Sequence, residues 1–137
     1  MQRIDHIVVH CSATKEGQNF KAKDIDRWHR QQGWEGIGYH YVIRLEGSLE
    51  KGKPEGEVGA HVRGHNAHSI GIAYIGGLDK EGNPQDTRTF EQKVALLKLL
   101  KELRGRYPSA EILGHRDFPG VKKACPCFDA KGEYAGV

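Results

Sequence analysis

A chain of 137 residues with 37% hydrophobic side chains is long enough for one domain around one core, and its composition excludes a disordered or fibrous class. A net charge of +3, with Lys and Arg scattered rather than striped, argues against a nucleic-acid partner, and no stretch approaches the ~20 apolar residues of a membrane span. Three cysteines, Cys11, Cys125 and Cys127, are an odd number for a disulfide framework and point to thiols or metal ligands, while eight histidines is the more unusual count.

The start, Met1-Gln2-Arg3-Ile4-Asp5-His6, lacks the apolar segment of a secretory signal, so the expectation is synthesis in the cytoplasm. Ile4 to His10 is apolar and β-branched, which predicts a buried first strand before Cys11-Ser12-Ala13-Thr14. Lys21 to Gln32 carries Ile25, Trp28 and His29 at helical spacing and is stopped by Gly33. Tyr39 to Leu45 predicts a second strand, and the turn Glu46-Gly47-Ser48 returns it through Leu49-Glu50 as a hairpin. Residues 51–68 read as loop, Ser69 to Ile75 as a strand ended by Gly76-Gly77, and Asp79 to Arg88 as a polar connection.

Thr89-Phe90-Glu91-Gln92 has the form of a capping box. The helix it opens carries two apolar rows, Val94, Leu97, Leu100 and Leu96, Leu99, Leu103, predicting a broad buried face closed by Tyr107-Pro108. Ala110 to Leu113 is a last short strand leading into Gly114-His115-Arg116-Asp117, and Lys131 to Val137 reads as a frayed tail. Alternating strands and helices with one hairpin argue for an α/β fold, a mixed central sheet with helices on both faces, in one domain.

Three potential ligands stand at or after strand ends. His10 closes the first strand, His115 follows the last, and Cys125 lies ten residues further on. Two imidazoles and a thiolate suit zinc, and three protein ligands leave a fourth position open for water, the arrangement of a hydrolytic site. Taken singly, each has an ordinary reading: a strand-end His is a common polar residue, and a Cys is commonly a small buried hydrophobe. Spacing alone leaves Cys125 and Cys127 as equal candidates, and Cys125-Pro126-Cys127 lacks the two-residue spacing of redox dithiols.

Five motifs occur in one order: Val8-Val9-His10-Cys11-Ser12-Ala13-Thr14, Gly38-Tyr39-His40-Tyr41, Ser69-Ile70-Gly71-Ile72, Gly114-His115-Arg116-Asp117 and Lys123-Ala124-Cys125-Pro126. The series resembles the N-acetylmuramoyl-L-alanine amidase family, whose fold is shared with peptidoglycan recognition proteins. The likeness is greatest to the small phage amidases historically called lysozymes and runs from His6 to about Asp129. The resemblance implies a Zn2+ ion held by His10, His115 and Cys125, the last two residues beyond a catalytic Lys123, with Tyr39 as the catalytic tyrosine. It implies hydrolysis of the amide between N-acetylmuramic acid and L-alanine in bacterial peptidoglycan by a phage or prophage endolysin, acting on the wall after release. His61 and Asn66 fall in the stretch that flanks the family's peptide groove, which makes them candidate substrate contacts.

His40 reads as a hydrogen-bonded core residue. Strand alternation sends it to the opposite face from Tyr39. His6, His29, His65 and His68 read as structural or exposed, and Trp28 and Trp34 as helix core and helix end rather than sugar platforms. Two competing functions start from the same fold: a module that binds peptidoglycan without cutting it, and a regulatory protein docking on an intracellular partner. The presence of Cys125, Tyr39 and Lys123 favours the enzyme over the module, and nothing in the sequence marks a docking surface. Glycoside hydrolysis needs two opposed carboxylates, and no motif here supplies them. The remaining expectations are a monomer, no membrane partner, and residues 1–137 as a single zinc amidase domain.

Overall fold

The computed structural model of the chain describes residues 3–137. Strands β1 (His6–Cys11), β3 (Tyr41–Ile43), β4 (Leu49–Lys51), β5 (Ser69–Tyr74) and β7 (Glu111–Gly114) form one sheet in the order β4-β3-β5-β1-β7. The hairpin pair β3–β4 is antiparallel and the other pairings are parallel, so the sheet is mixed as expected. Two short segments, β2 (Thr14–Lys15) and β6 (Gly77–Leu78), make a second, two-stranded parallel sheet that the sequence does not announce. Two residues are too few for a hydrophobic period to register.

Alternation along β1 divides the molecule. Ile7, Val9 and Cys11 point to helix α2 (Phe90–Arg106), where Leu96, Leu99, Leu100 and Leu103 join Ile70, Ile72 and Tyr74 in the main core. Burying each leucine is worth about 1.5–3 kcal/mol, so this face supplies most of the cohesion. The capping box forms as read, with Gln92 N–H donating to Thr89 Oγ1 and Thr89 N–H to Gln92 Oε1. Of the two apolar rows only part is buried: Val94 and Leu97 face outward, and with Phe90 they lie among the exposed large hydrophobics. One sheet face fills only one stripe of a helix, which takes in Leu96, Leu99, Leu100 and Leu103 and leaves Val94 and Leu97 outside it.

On the opposite sheet face, helix α1 (Ala22–Gln31) packs Ile25 against Ile37, Val42 and Ile75. Helices therefore cover both faces. The strand expected over Tyr39 to Leu45 begins only at Tyr41, so Tyr39 and His40 precede it. His40 is nonetheless a buried, bonded residue: its Nδ1 accepts the Gly71 N–H at 3.0 Å and its Nε2 bonds the Glu57 carbonyl at 2.8 Å. A bend, not strand alternation, sets its direction.

The tail is not frayed. Helix α3 (Ala130–Glu133) and Tyr134 are docked, with Ala130 and Tyr134 buried in the main core. The anchor is Arg88, whose buried guanidinium bonds Asp86, Glu133 and the Tyr134 hydroxyl and lies 3.4 Å from the Phe128 ring centre. A short polar tail has no hydrophobic period, and its partner is 45 residues away in sequence, so local reading misses it. Among the described residues no helix is long and apolar enough to cross a membrane.

Candidate metal centre

Parallel pairing of β1 with β7 sets Val9 beside Gly114, so His10, the next residue of β1, and His115, the first residue after β7, come side by side on the α1 face. Their ring centres are 4.7 Å apart. The loop after β7 then folds back: Arg116 N–H donates to the Cys125 carbonyl at 2.9 Å, and Tyr74 Oη donates to the Pro126 carbonyl at 2.6 Å. Gly114 allows the return, because a Cβ there would sit 2.7 Å from the Pro126 ring. These contacts bring one ligand atom each from His10, His115 and Cys125 to within 4.8 Å of one another.

Cys125 Sγ lies 3.9 Å from His10 Nδ1 and accepts the Cys11 backbone N–H at 3.2 Å. Hydrogen bonding from the Cys11 side chain, and then from its backbone, holds the Cys125 thiol below the usual range against the effect of burial. Cys127 faces elsewhere, with its sulfur 4.0 Å from that of Cys11. All three cysteines are free thiols. His10 is 1% exposed; burial first, then the neighbouring His61, His115 and Lys123, push its pKa well below the ordinary value, leaving it neutral. Burial likewise lowers His115, with Lys123 adding to the effect.

Tyr39 sits against this cluster, its ring centre 5.0 Å from that of His10 and 5.5 Å from that of His29. Burial raises its pKa, so the phenol keeps its proton at neutral pH. Lys123 is exposed at the rim. Two cavities meet here, one of about 310 Å³ and one of about 640 Å³, and Trp34, Tyr39, His115 and Lys123 line both. The smaller continues over Trp28, His29 and Gln32; the larger continues over Ala60, Arg63, Asn66 and Lys122. A substrate carrying an arm on each side of its reacting bond matches that shape.

Of the residues read from the sequence, His10, His115, Cys125, Tyr39 and Lys123 converge at this junction. His61 and Asn66 line the larger cavity, and the His61 ring nitrogens and the Asn66 side-chain oxygen are held by the protein. Both ring nitrogens of His61 are engaged, with His10 Nε2 at 2.9 Å and Ser69 Oγ at 3.1 Å. Asn66 Oδ1 accepts the backbone N–H groups of His61 and Val62, each at 2.8 Å. Burial drives the His61 pKa down to about 3. Sequence reading gave no site role to Ser69, read His29, whose Nδ1 accepts the Gly38 N–H at 2.9 Å, as structural or exposed, and preferred a helix end to a sugar platform for Trp34, which borders both cavities. A strand-initial Ser and a helix-end Trp carry no local mark of such a role.

Known proteins share this architecture. The family profile described as N-acetylmuramoyl-L-alanine amidase matches residues 1–128. The endolysin of Enterobacteria phage K11 is 44% identical over 128 residues, covering 93% of this chain and 83% of that protein. The endolysin of Escherichia phage T7 is 42% identical over 130 residues, covering 95% and 85%. Among solved structures, the amidase LysC from Clostridium intestinale superposes with a TM-score of 0.78 at 32% identity, covering 97% of this chain and 83% of that one. Drosophila PGRP-LB, at a TM-score of 0.79 and 21% identity over 99% and 82% of the two chains, shares the fold. With the family profile spanning nearly the whole chain and phage endolysins matching it over most of their length at this level, the protein belongs to the N-acetylmuramoyl-L-alanine amidase family.

Proposed function

We propose that residues 1–137 act as one zinc-dependent amidase domain of the phage endolysin kind, hydrolysing the amide between the lactyl group of N-acetylmuramic acid and L-alanine in bacterial peptidoglycan. The observation that carries this reading is the convergence of His10, His115 and Cys125 at the junction of two cavities, beside Tyr39 and Lys123. The donor set fits zinc. Bonds of about 2.0 Å to nitrogen and 2.3 Å to sulfur place these ligand atoms ~3.3–3.6 Å apart around a tetrahedron, a short closure from the 3.9 Å between Cys125 Sγ and His10 Nδ1 and the 4.8 Å that bounds the set. When bound by His10, His115 and Cys125, zinc would supply a Lewis acid for the scissile carbonyl and would lower the pKa of water at its open position.

The chain's own residues account for the rest. Tyr39 stays protonated and so is equipped to donate a hydrogen bond to the oxygen that gains charge as the carbonyl is attacked. Lys123, at the lip of both cavities, brings a positive charge to the same oxygen, an effect often worth a few kcal/mol. Trp34 and the walls of the two cavities hold the sugar side and the peptide side apart, fixing the amide over the ligands.

The test is metal analysis coupled to digestion of purified cell wall. About one zinc per chain is expected, with new free L-alanyl amino groups and no new reducing sugar ends. Stoichiometric zinc with no amine released would identify a binding module instead, and reducing ends would identify a glycosidase.

A further inference from the structure

The side chain of His61 lies behind His10, and the hydrogen-bond directions in this corner follow from the partners each group has. Ser69, the first residue of β5, has one hydroxyl proton, and it goes to the His65 carbonyl at 2.8 Å. The Ser69 oxygen can therefore only accept from His61 Nε2, at 3.1 Å. A neutral imidazole carries one N–H, so His61 Nδ1 is a bare lone pair, and it faces His10 Nε2 at 2.9 Å. His10 must then carry its proton on Nε2, which leaves Nδ1 as the lone pair facing Cys125.

The surroundings hold this arrangement. Asn66 Oδ1 pins the backbone here by accepting the N–H groups of His61 and Val62. Gly71 leaves room for the ring, since a Cβ there would lie 2.7 Å from it.

We propose that Ser69 and His61 form a positioning relay that fixes the tautomer and ring angle of His10, so that the nitrogen presented to the metal is always the unprotonated Nδ1. The inference rests on the ligand role of His10 proposed above, and it replaces substrate contact as the task of the His61 ring nitrogens. Outer partners of this kind raise ligand basicity and remove the rotational and tautomeric freedom that metal binding would otherwise have to suppress. Loss of such a partner typically weakens metal binding by about 10- to 100-fold.

Zinc affinity, measured by competition with a chelating dye, is expected to fall by about 10- to 100-fold in His61→Leu. His61→Asn keeps an acceptor facing His10 and should recover most of that loss. Ser69→Ala should give a smaller loss and serves as the second variant if His61→Leu does not fold. Long-range nitrogen–proton NMR on the metal-free wild-type chain should show both His61 and His10 protonated on Nε2. A His61 protonated on Nδ1 would overturn the relay. So would a folded His61→Leu with zinc affinity within about twofold of wild type and a raised KM for muropeptide, the mark of substrate contact. A wild-type chain that binds no zinc would overturn the proposed function, a failure that the tautomer measurement keeps separate.

Discussion

On the α2 side of the sheet, Ile7, Val9 and Cys11 of β1 meet the leucines of α2 in a dry, apolar core. One residue out of step, on the α1 side, the same strand presents Val8 and then His10, which meets His61, Tyr39 and His115. The first face gains stability in proportion to area. The second buries polar rings, each of which must find a partner or be penalised by about 1–3 kcal/mol, and so it is organised by hydrogen bonds rather than by packing alone. The contrast teaches that cohesion and chemistry are separated by the period of the strand. Changes on one face should move stability, and changes on the other should move metal binding and turnover.

The strongest way to break that separation is at the ligand sulfur. Cys125→Ser should lower kcat/KM by at least about 10³-fold, several kcal/mol of lost activation, while circular dichroism shows a folded chain. Cys127→Ser, whose sulfur faces Cys11, should keep most of the activity in the same amine-release assay. Equal losses would mean that the two thiols share the site.

On the apolar face, Leu100→Ala should cost about 3 kcal/mol in denaturant unfolding and leave the zinc affinity of the folded chain unchanged. Val94→Lys, on the exposed side of the same helix, should stay within about 0.5 kcal/mol. A change in zinc affinity from Leu100→Ala would show that the faces are coupled.

Arg88→Met should cost about 2 kcal/mol, toward the low side for a buried charge because Asp86 and Glu133 are themselves partly exposed. It should also release α3, read out as faster proteolysis beyond Phe128, and so separate the C-terminal anchor from both sheet faces.

The smallest expected effect is acid sensitivity. Burial holds His29 and His40 below their usual pKa of 6.5, as it does His10, His61 and His115, and His29 and His40 each use a ring nitrogen to accept a backbone N–H. Below that pH the unfolded chain takes up protons that the folded one refuses, so the stability contribution is complete above about 6.5 and declines as the pH falls. The unfolding midpoint of the metal-free protein should drop from pH 7 to pH 5, and His40→Gln should flatten the slope.

Much of this was legible in order along the chain. β1, the hairpin and β5 are short runs with clear turn residues, and the capping box at Thr89 marked the start of α2 to the residue. Alternation and helical period are local properties, so one sequence suffices for them. The three residues that the structure brings together, His10, His115 and Cys125, were legible as candidate ligands too, but only through five motifs in one order; their spacing carries no compact signature of its own.

What the tertiary structure alone decided is where distant groups meet. It buried one leucine row of α2 and exposed Val94 and Leu97, because a single sheet face can cover only one stripe. It docked the polar tail, because Arg88 waits 45 residues upstream for Glu133. It set the His61 ring between His10 and Ser69, because a side chain's hydrogen-bond partners depend on neighbours that sequence order does not place side by side. Local period follows from the chain's own geometry, whereas the partner of a buried polar group is set by long-range register.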